Sequence, residues 1–128
     1  MGKIINTNRA PAPIGPYNQA VLSGDTLYIS GQIPLDPETG ALVSGDIGKE
    51  TERCMHNLKA ILAAADMTFD HVVKSSIFLK DMRQFSEVNA VYGRFFDAAK
   101  APARETVEVA NLPKFVNVEI SMIASRQS

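Results

Sequence analysis

Two segments of this chain carry the three-and-four spacing of amphipathic helices, and six carry the patterns of strands, in the order β-β-β-α-β-α-β-β. That ratio constrains the fold more than any other feature. Two helices cover one face of such a sheet, so an α+β architecture is expected whose other sheet face meets water or another chain. The longer helix is predicted over Asp46–Ala65, where Ile47, Thr51, Cys54, Met55, Leu58, Ile61, Leu62 and Ala65 form one face. Lys49, Glu52, Arg53, His56 and Lys59 form the opposite one. The second helix is predicted to start at Asp81, with Gln84 in the capping-box position, and to run to about Lys100. Phe85, Val88, Tyr92, Phe95, Phe96 and Ala99 are its apolar side.

The strands are predicted at 3–6, Gln19–Leu22, Thr26–Ile33, His71–Lys80, Ala103–Val109 and Val116–Ala124. Ser23, Gly24 and Asp25 form a hairpin between the second and third. Pro11, Pro13 and Pro16 fix φ three times within residues 9–17, which makes a stiff loop suited to lining a site. The turn-rich stretch 34–45 follows the third strand. With 128 residues, the chain reads as one domain spanning 1–128.

Charge and cysteine content exclude several function classes. Thirteen Lys and Arg against 14 Asp and Glu leave a net charge of −1, without the basic excess that draws a protein to nucleic acid or anionic membrane. The single cysteine, Cys54, rules out an intrachain disulfide and the zinc sites built on paired cysteines. It falls on the apolar face of the first helix, as core filler. His56 is expected to pair with Glu52 one turn away, and His71 to serve a turn or cap. No metal site is expected. The start of the chain has no apolar run of signal-peptide length, and Asn6 stands where a myristoylation motif needs Ser or Thr. A cytoplasmic protein is expected, with no membrane partner.

Alternation along the strands sorts the candidate polar residues. If the last two strands pair as a hairpin, matching apolar to apolar puts Arg104, Glu108 and Glu119 on the helix-free face with Tyr28 and Ser30. Glu105 then falls in the apolar set and must escape at the strand end. Such a face is either solvated, with cross-strand ion pairs, or a site in which Arg104 holds a carboxylate and Glu119 handles a proton or water.

Three blocks bear on that choice: APAPIGPYNQA at 10–20, ISGQIPLDPETG at 29–40 and APARETVEVANLPKFVNVEI at 101–120. In order and spacing they resemble the RidA (YjgF) reactive intermediate deaminase family along nearly the whole chain. The resemblance implies a chorismate-mutase-like fold, with a mixed six-stranded sheet and two helices packed on one face. It implies a homotrimer with a cleft at each subunit interface. It also implies hydrolysis of enamine and imine intermediates, such as 2-aminoacrylate released by pyridoxal-phosphate enzymes, to 2-keto acids and ammonia. No metal or organic cofactor is implied, and the substrate is a small carboxylate.

By the same resemblance the substrate-binding arginine is Arg104 and the acidic residue Glu119. Tyr17, Ser30, Gly31 and Asn89 fall on pocket positions. Thr106 stands where many members carry Cys, and Glu105 where a small or apolar residue is usual. Tyr17 could instead simply pack with its hydroxyl bonded, and Asn89 could tie down a loop rather than touch a ligand. Two other functions fit the same residues: a non-catalytic trimer that binds 2-keto acids, and an RNA-directed translation inhibitor, which the charge balance disfavours.

Overall fold

The computed structural model describes residues 2–126; Met1, Gln127 and Ser128, the extreme ends of the span read as one domain, lie outside it. The strands are β1 (Lys3–Ile5), β2 (Ala20–Ser23), β3 (Thr26–Gln32), β4 (Val72–Leu79), β5 (Ala103–Glu108) and β6 (Val118–Ser125). The helices are α1 (Ile47–Ala64) and α2 (Phe85–Gly93). The sheet order is β1-β2-β3-β6-β4-β5, antiparallel throughout except for the parallel pair β4·β5. This is the expected mixed six-stranded sheet with both helices on one face.

Helix α1 starts where its cap was read. Asp46 is extended, and its side chain accepts from the Lys49 N–H. Cys54, Met55, Leu58, Ile61 and Leu62 are fully buried against the sheet, each large apolar side chain contributing about 1.5–3 kcal/mol. Cys54 is thus the core filler expected. The sheet returns Leu27 and Ile29 from β3, Ile77 and Leu79 from β4, and Val118, Ile120 and Met122 from β6.

The second helix is shorter than its pattern suggested. A 3₁₀ turn at Met82–Gln84 precedes α2, and α2 ends at Gly93. Asp81 accepts from the Arg83 N–H and is also held by the Arg83 guanidinium at 3.0 Å, and no Gln84 side-chain cap forms. Past Gly93 the aromatic pair folds back: Phe95 and Phe96 meet Phe69 edge-on, and Phe96 also packs on Tyr92. A separate 3₁₀ turn, capped by Asp97, spans Ala98–Lys100. His56 stands edge-on to Phe95, and Glu52 lies 3.9 Å from Arg94 instead of pairing with His56. His71 does serve a cap: its Nδ1 accepts from the Thr68 N–H at 3.0 Å.

The expected hairpin between the last two strands does not exist. Helix α2 carries the chain from β4 to β5 as a crossover, so β5 lies parallel to β4 at the sheet's edge. The segment 109–117 then returns the chain, and β6 fills the slot between β3 and β4. This changes which face each candidate residue occupies.

Candidate active site

Residues opposite one another across a ladder share a face, so the register assigns the faces directly. Arg104 pairs with Ser75, Thr106 with Ile77 and Glu108 with Leu79. All three partners are buried under the helices. Arg104, Thr106 and Glu108 therefore project on the helix side of the edge strand. Glu119 pairs with Phe78, which is opposite Val107. It belongs to the open face, with Tyr28, Ser30 and Glu105. The expectation that Arg104 and Glu119 share a face is overturned, because it rested on a β5–β6 hairpin that β4 interrupts. Glu105 needs no escape: on the open face it accepts from Ser76 Oγ at 2.9 Å and pairs with Lys74 at 3.1 Å. Those contacts lower its pKa, the Lys74 bond most. Glu108 accepts from the Met82 N–H at 2.8 Å and so secures the turn into α2.

The first cluster lies between β5 and α2. Arg104 Nη1 donates to Asn89 Oδ1 at 2.7 Å. Its guanidinium carbon lies 5.0 Å from the Tyr92 ring centroid and 5.7 Å from that of Phe85. A cation within about 6 Å of two ring faces is held in place, at a gain of about 0.5–1 kcal/mol per contact at an exposed site. Tyr92 is fixed in turn by donating to Ser75 Oγ at 2.8 Å. Among the described residues, no carboxylate pairs with Arg104. Two residues along the same face, the buried Thr106 Oγ1 has no hydrogen-bond partner among the described residues. An orphaned buried hydroxyl beside a fixed, unpaired guanidinium is the pattern of a polar ligand's seat.

The second cluster gathers Tyr17, Ser30, Gly31 and Glu119. Strand β3 carries an extra residue between Ile29 and Gln32 relative to β6, a bulge occupied by Ser30 and Gly31. The Glu119 carboxyl lies against Gly31 so closely that a Cβ there would sit 2.8 Å from Glu119 Cδ and Oε2. Only glycine leaves that space. No hydrogen bond or ion pair reaches the Glu119 carboxyl among the described residues, and burial raises its pKa. Ser30 Oγ donates to the Asn18 carbonyl at 2.7 Å. The Tyr17 hydroxyl accepts weakly from the Ile14 N–H at 3.4 Å, and its ring borders a cavity of about 30 Å³ shared with Gly31, Ile33 and Lys114. That is room for about one water.

Sequence reasoning missed the residues that hold this second cluster in shape. Gln19 is 2% exposed, and its amide nitrogen donates to the carbonyls of Thr7, Ala10 and Pro11. It is the clamp that seats the proline-rich loop. Asn57 is fully buried, accepts from Arg53 and donates to the carbonyls of Ile33 and Leu35. The available signal was a polar residue on a core-facing position, between Cys54 and Ile61 on the apolar side of α1.

A sequence model of the family described as Endoribonuclease L-PSP matches residues 7–126. A 2-iminobutanoate/2-iminopropanoate deaminase of Salmonella typhimurium is 47% identical, over 99% of this chain and all of that one. The crystal structure of the YjgF gene product from E. coli superposes with a TM-score of 0.91 at 45% identity, covering 98% of this chain and 99% of that one. The chain belongs to the RidA (YjgF) family. A Rid-family protein from Yersinia pestis has the same fold at a TM-score of 0.95 and 45% identity, covering 98% of this chain and 99% of that one. For this RidA-family chain, the residues carried over from the resemblance thus fall into two clusters. Arg104, Asn89 and Thr106 form one. Tyr17, Ser30, Gly31 and Glu119 form the other, on the far side of the sheet, with Glu119 two strands in from β5 and Ser30 and Gly31 three. Among the described residues no His, Cys, Asp and Glu cluster has the makings of a metal site, and no helix is long and apolar enough to cross a membrane.

Proposed function

We propose that this protein hydrolyses 2-imino acids and their enamine tautomers, of the 2-aminoacrylate type formed by pyridoxal-phosphate enzymes, to 2-keto acids and ammonia. The observation that carries this reading is the Arg104 guanidinium, fixed by Asn89 and two rings yet unpaired, beside the orphaned hydroxyl of Thr106. It suits a small carboxylate. Two parallel N–H bonds from the guanidinium hold the substrate carboxylate, each charge-assisted contact contributing about 1.5–3 kcal/mol. The Salmonella relative's name, an imine deaminase, points the same way.

The enamine takes a proton on carbon and gives one up from nitrogen, which makes it the imine. Water adds to the imine carbon while its proton passes to the nitrogen; the resulting carbinolamine passes its hydroxyl proton to the amine, which leaves as ammonia as the keto C=O forms. Glu119 carries these protons. Its burial lifts its pKa toward the operating range of a general acid or base. Ser30 and the bulge at Gly31 line the approach. Imine hydrolysis is intrinsically easy, so orientation with one acid–base group is sufficient.

Because Arg104 and Glu119 occupy opposite faces of one sheet, the reaction needs the Arg104 cluster of one protomer against the Glu119 cluster of another. We take the working form to be a homotrimer with its clefts at the subunit interfaces. The working compartment is the cytoplasm, where the pyridoxal-phosphate chemistry supplies the substrate. An RNA-directed role would need a basic track, and on the open face Lys74 is already matched by Glu105.

The test generates 2-aminoacrylate in situ and follows pyruvate and ammonia, alongside solution mass. The expected results are release well above the uncatalysed background, its return to background in Arg104→Ala, and a mass three times the 13.9 kDa of one chain. Saturable keto-acid binding without turnover would refute the catalytic reading.

A further inference from the structure

The turn between β5 and β6 presents a feature that the site so far described does not use. Lys114 and Phe115 both have left-handed backbone conformations, with φ of 55° and 56°. Asn, Asp and Gly adopt this region readily, whereas a bulky residue there is a genuine outlier. Strain of this kind persists only where the surroundings enforce it, and it concentrates at sites of function. The surroundings here do enforce it. Leu112 and Val116, on either side, are buried in a small apolar cluster with Ile33, Leu35 and Phe78. The Phe115 N–H donates to the Leu112 carbonyl at 2.9 Å. Phe115 is nevertheless 80% exposed, and no aromatic contact within the described residues receives its ring.

The turn is also part of the pocket. Lys114 lines the cavity beside Tyr17 and Gly31, whose other walls include Ile14 and Ile33. Ile14 and Tyr17 are themselves 59% and 47% exposed, so the apolar lining of that cavity continues onto the surface; Phe115 follows Lys114 directly, and its flanking Leu112 and Val116 pack on Ile33, a residue of the same cavity wall. We propose that Phe115 is a specificity-determining residue: its ring forms the wall against which the substrate's side chain packs, favouring imino acids with bulky apolar side chains over the smallest. This rests on the imine-hydrolysis reading and adds to it a substrate class. The backbone that carries the ring is fixed by its buried neighbours, so presenting the ring at this point costs little further ordering of the chain. Truncating such a wall removes apolar contact only for substrates long enough to reach it.

The test compares kcat/KM for imines generated by amino-acid oxidase from leucine or phenylalanine with that from alanine. Phe115→Asn suits the left-handed backbone and keeps the turn; Phe115→Tyr keeps the ring. The expected result is a bulky-to-small ratio that falls at least fivefold in Phe115→Asn and is retained in Phe115→Tyr, with solution mass unchanged in both. An unchanged ratio in Phe115→Asn overturns this inference alone. A fall in solution mass also overturns it, since the ring would then anchor assembly. Absence of imine hydrolysis by the wild-type protein overturns the functional reading and this one with it.

Discussion

Replacing Gly31 by alanine tests the second cluster without touching a polar group. Gly31 has no positive φ, so alanine meets no backbone objection. Relief of unfolded-state entropy favours it by about 0.4–1 kcal/mol. Against this stands the Glu119 side chain. The new Cβ would lie 2.8 Å from Cδ and Oε2 and 3.0 Å from Cγ. Ordinary carbon contacts are about 3.5–4.0 Å, so the carboxyl must retreat by at least about 0.7 Å. It is the end of a flexible side chain with no hydrogen bond to lose, so the steric cost falls at the low end of the roughly 1–3 kcal/mol typical of overpacking. The two contributions nearly cancel. Urea unfolding should therefore show a stability within about 1 kcal/mol of the wild type. Catalysis should respond differently, because misplacing an acting group by about 1 Å costs on the order of 10²-fold. Expected is a 10- to 100-fold fall in kcat/KM for imine hydrolysis, about 1.4–2.7 kcal/mol of lost transition-state stabilisation. Keto-acid binding should persist, since Arg104 is untouched. Wild-type turnover in a folded Gly31→Ala protein would refute the role given to the Glu119 position.

Arg104→Lys keeps the charge but loses the fork, the Asn89 bond and the ring stacking, so keto-acid affinity measured by calorimetry should fall about 10-fold or more. Glu119→Gln should retain that affinity while turnover drops. Its stability carries a defined pH signature. A buried carboxyl with a raised pKa is comfortable when protonated and penalises the fold as pH rises through its folded value. The thermal midpoint of Glu119→Gln relative to wild type should therefore be higher at about pH 8 than at about pH 4, where both side chains are largely neutral; equal differences at both would contradict the burial argument. Asn57→Ala strips donors from the Ile33 and Leu35 carbonyls and should cost about 2–4 kcal/mol in urea unfolding.

What was legible in the sequence was what local chemistry decides. The spacing from Ile47 to Ala65 and the Asp46 cap gave α1 its bounds, because a helix is held by contacts between near neighbours. The proline-rich loop was recognisable as stiff, since proline acts on its own φ, but the Gln19 clamp that seats it is a set of non-local bonds. The pattern overstates α2 because Phe95, Phe96 and Ala99 keep the helical spacing, while the two phenylalanine rings serve the junction with Phe69 and Ala99 belongs to a separate turn. The two-helix count correctly left a sheet face open. Alternation split each strand into its two sets. It could not say which set of β5 matches which set of β6, because that depends on strand order, a non-local property.

The proposed reaction draws on both clusters, and the strand order sets how a second copy of the chain would have to meet the first. The crossover through α2 delivers Arg104 to the helix side of the outermost strand, where Asn89, Tyr92 and Phe85 can hold it. The register of β6 on β4 puts Glu119 on the open side, two strands further in, where the β3 bulge sets Gly31 against it. Each location suits its group: the guanidinium gains ring faces from a helix, and the carboxyl gains burial against a glycine. No rotamer of either side chain spans the sheet between them. The edge strand β5 carries three charged residues, Arg104, Glu105 and Glu108, among its six, and charged edges resist adding another strand. A neighbouring protomer that brings Glu119 to Arg104 therefore has to approach through the open face and around the edge of β5, rather than by extending the sheet.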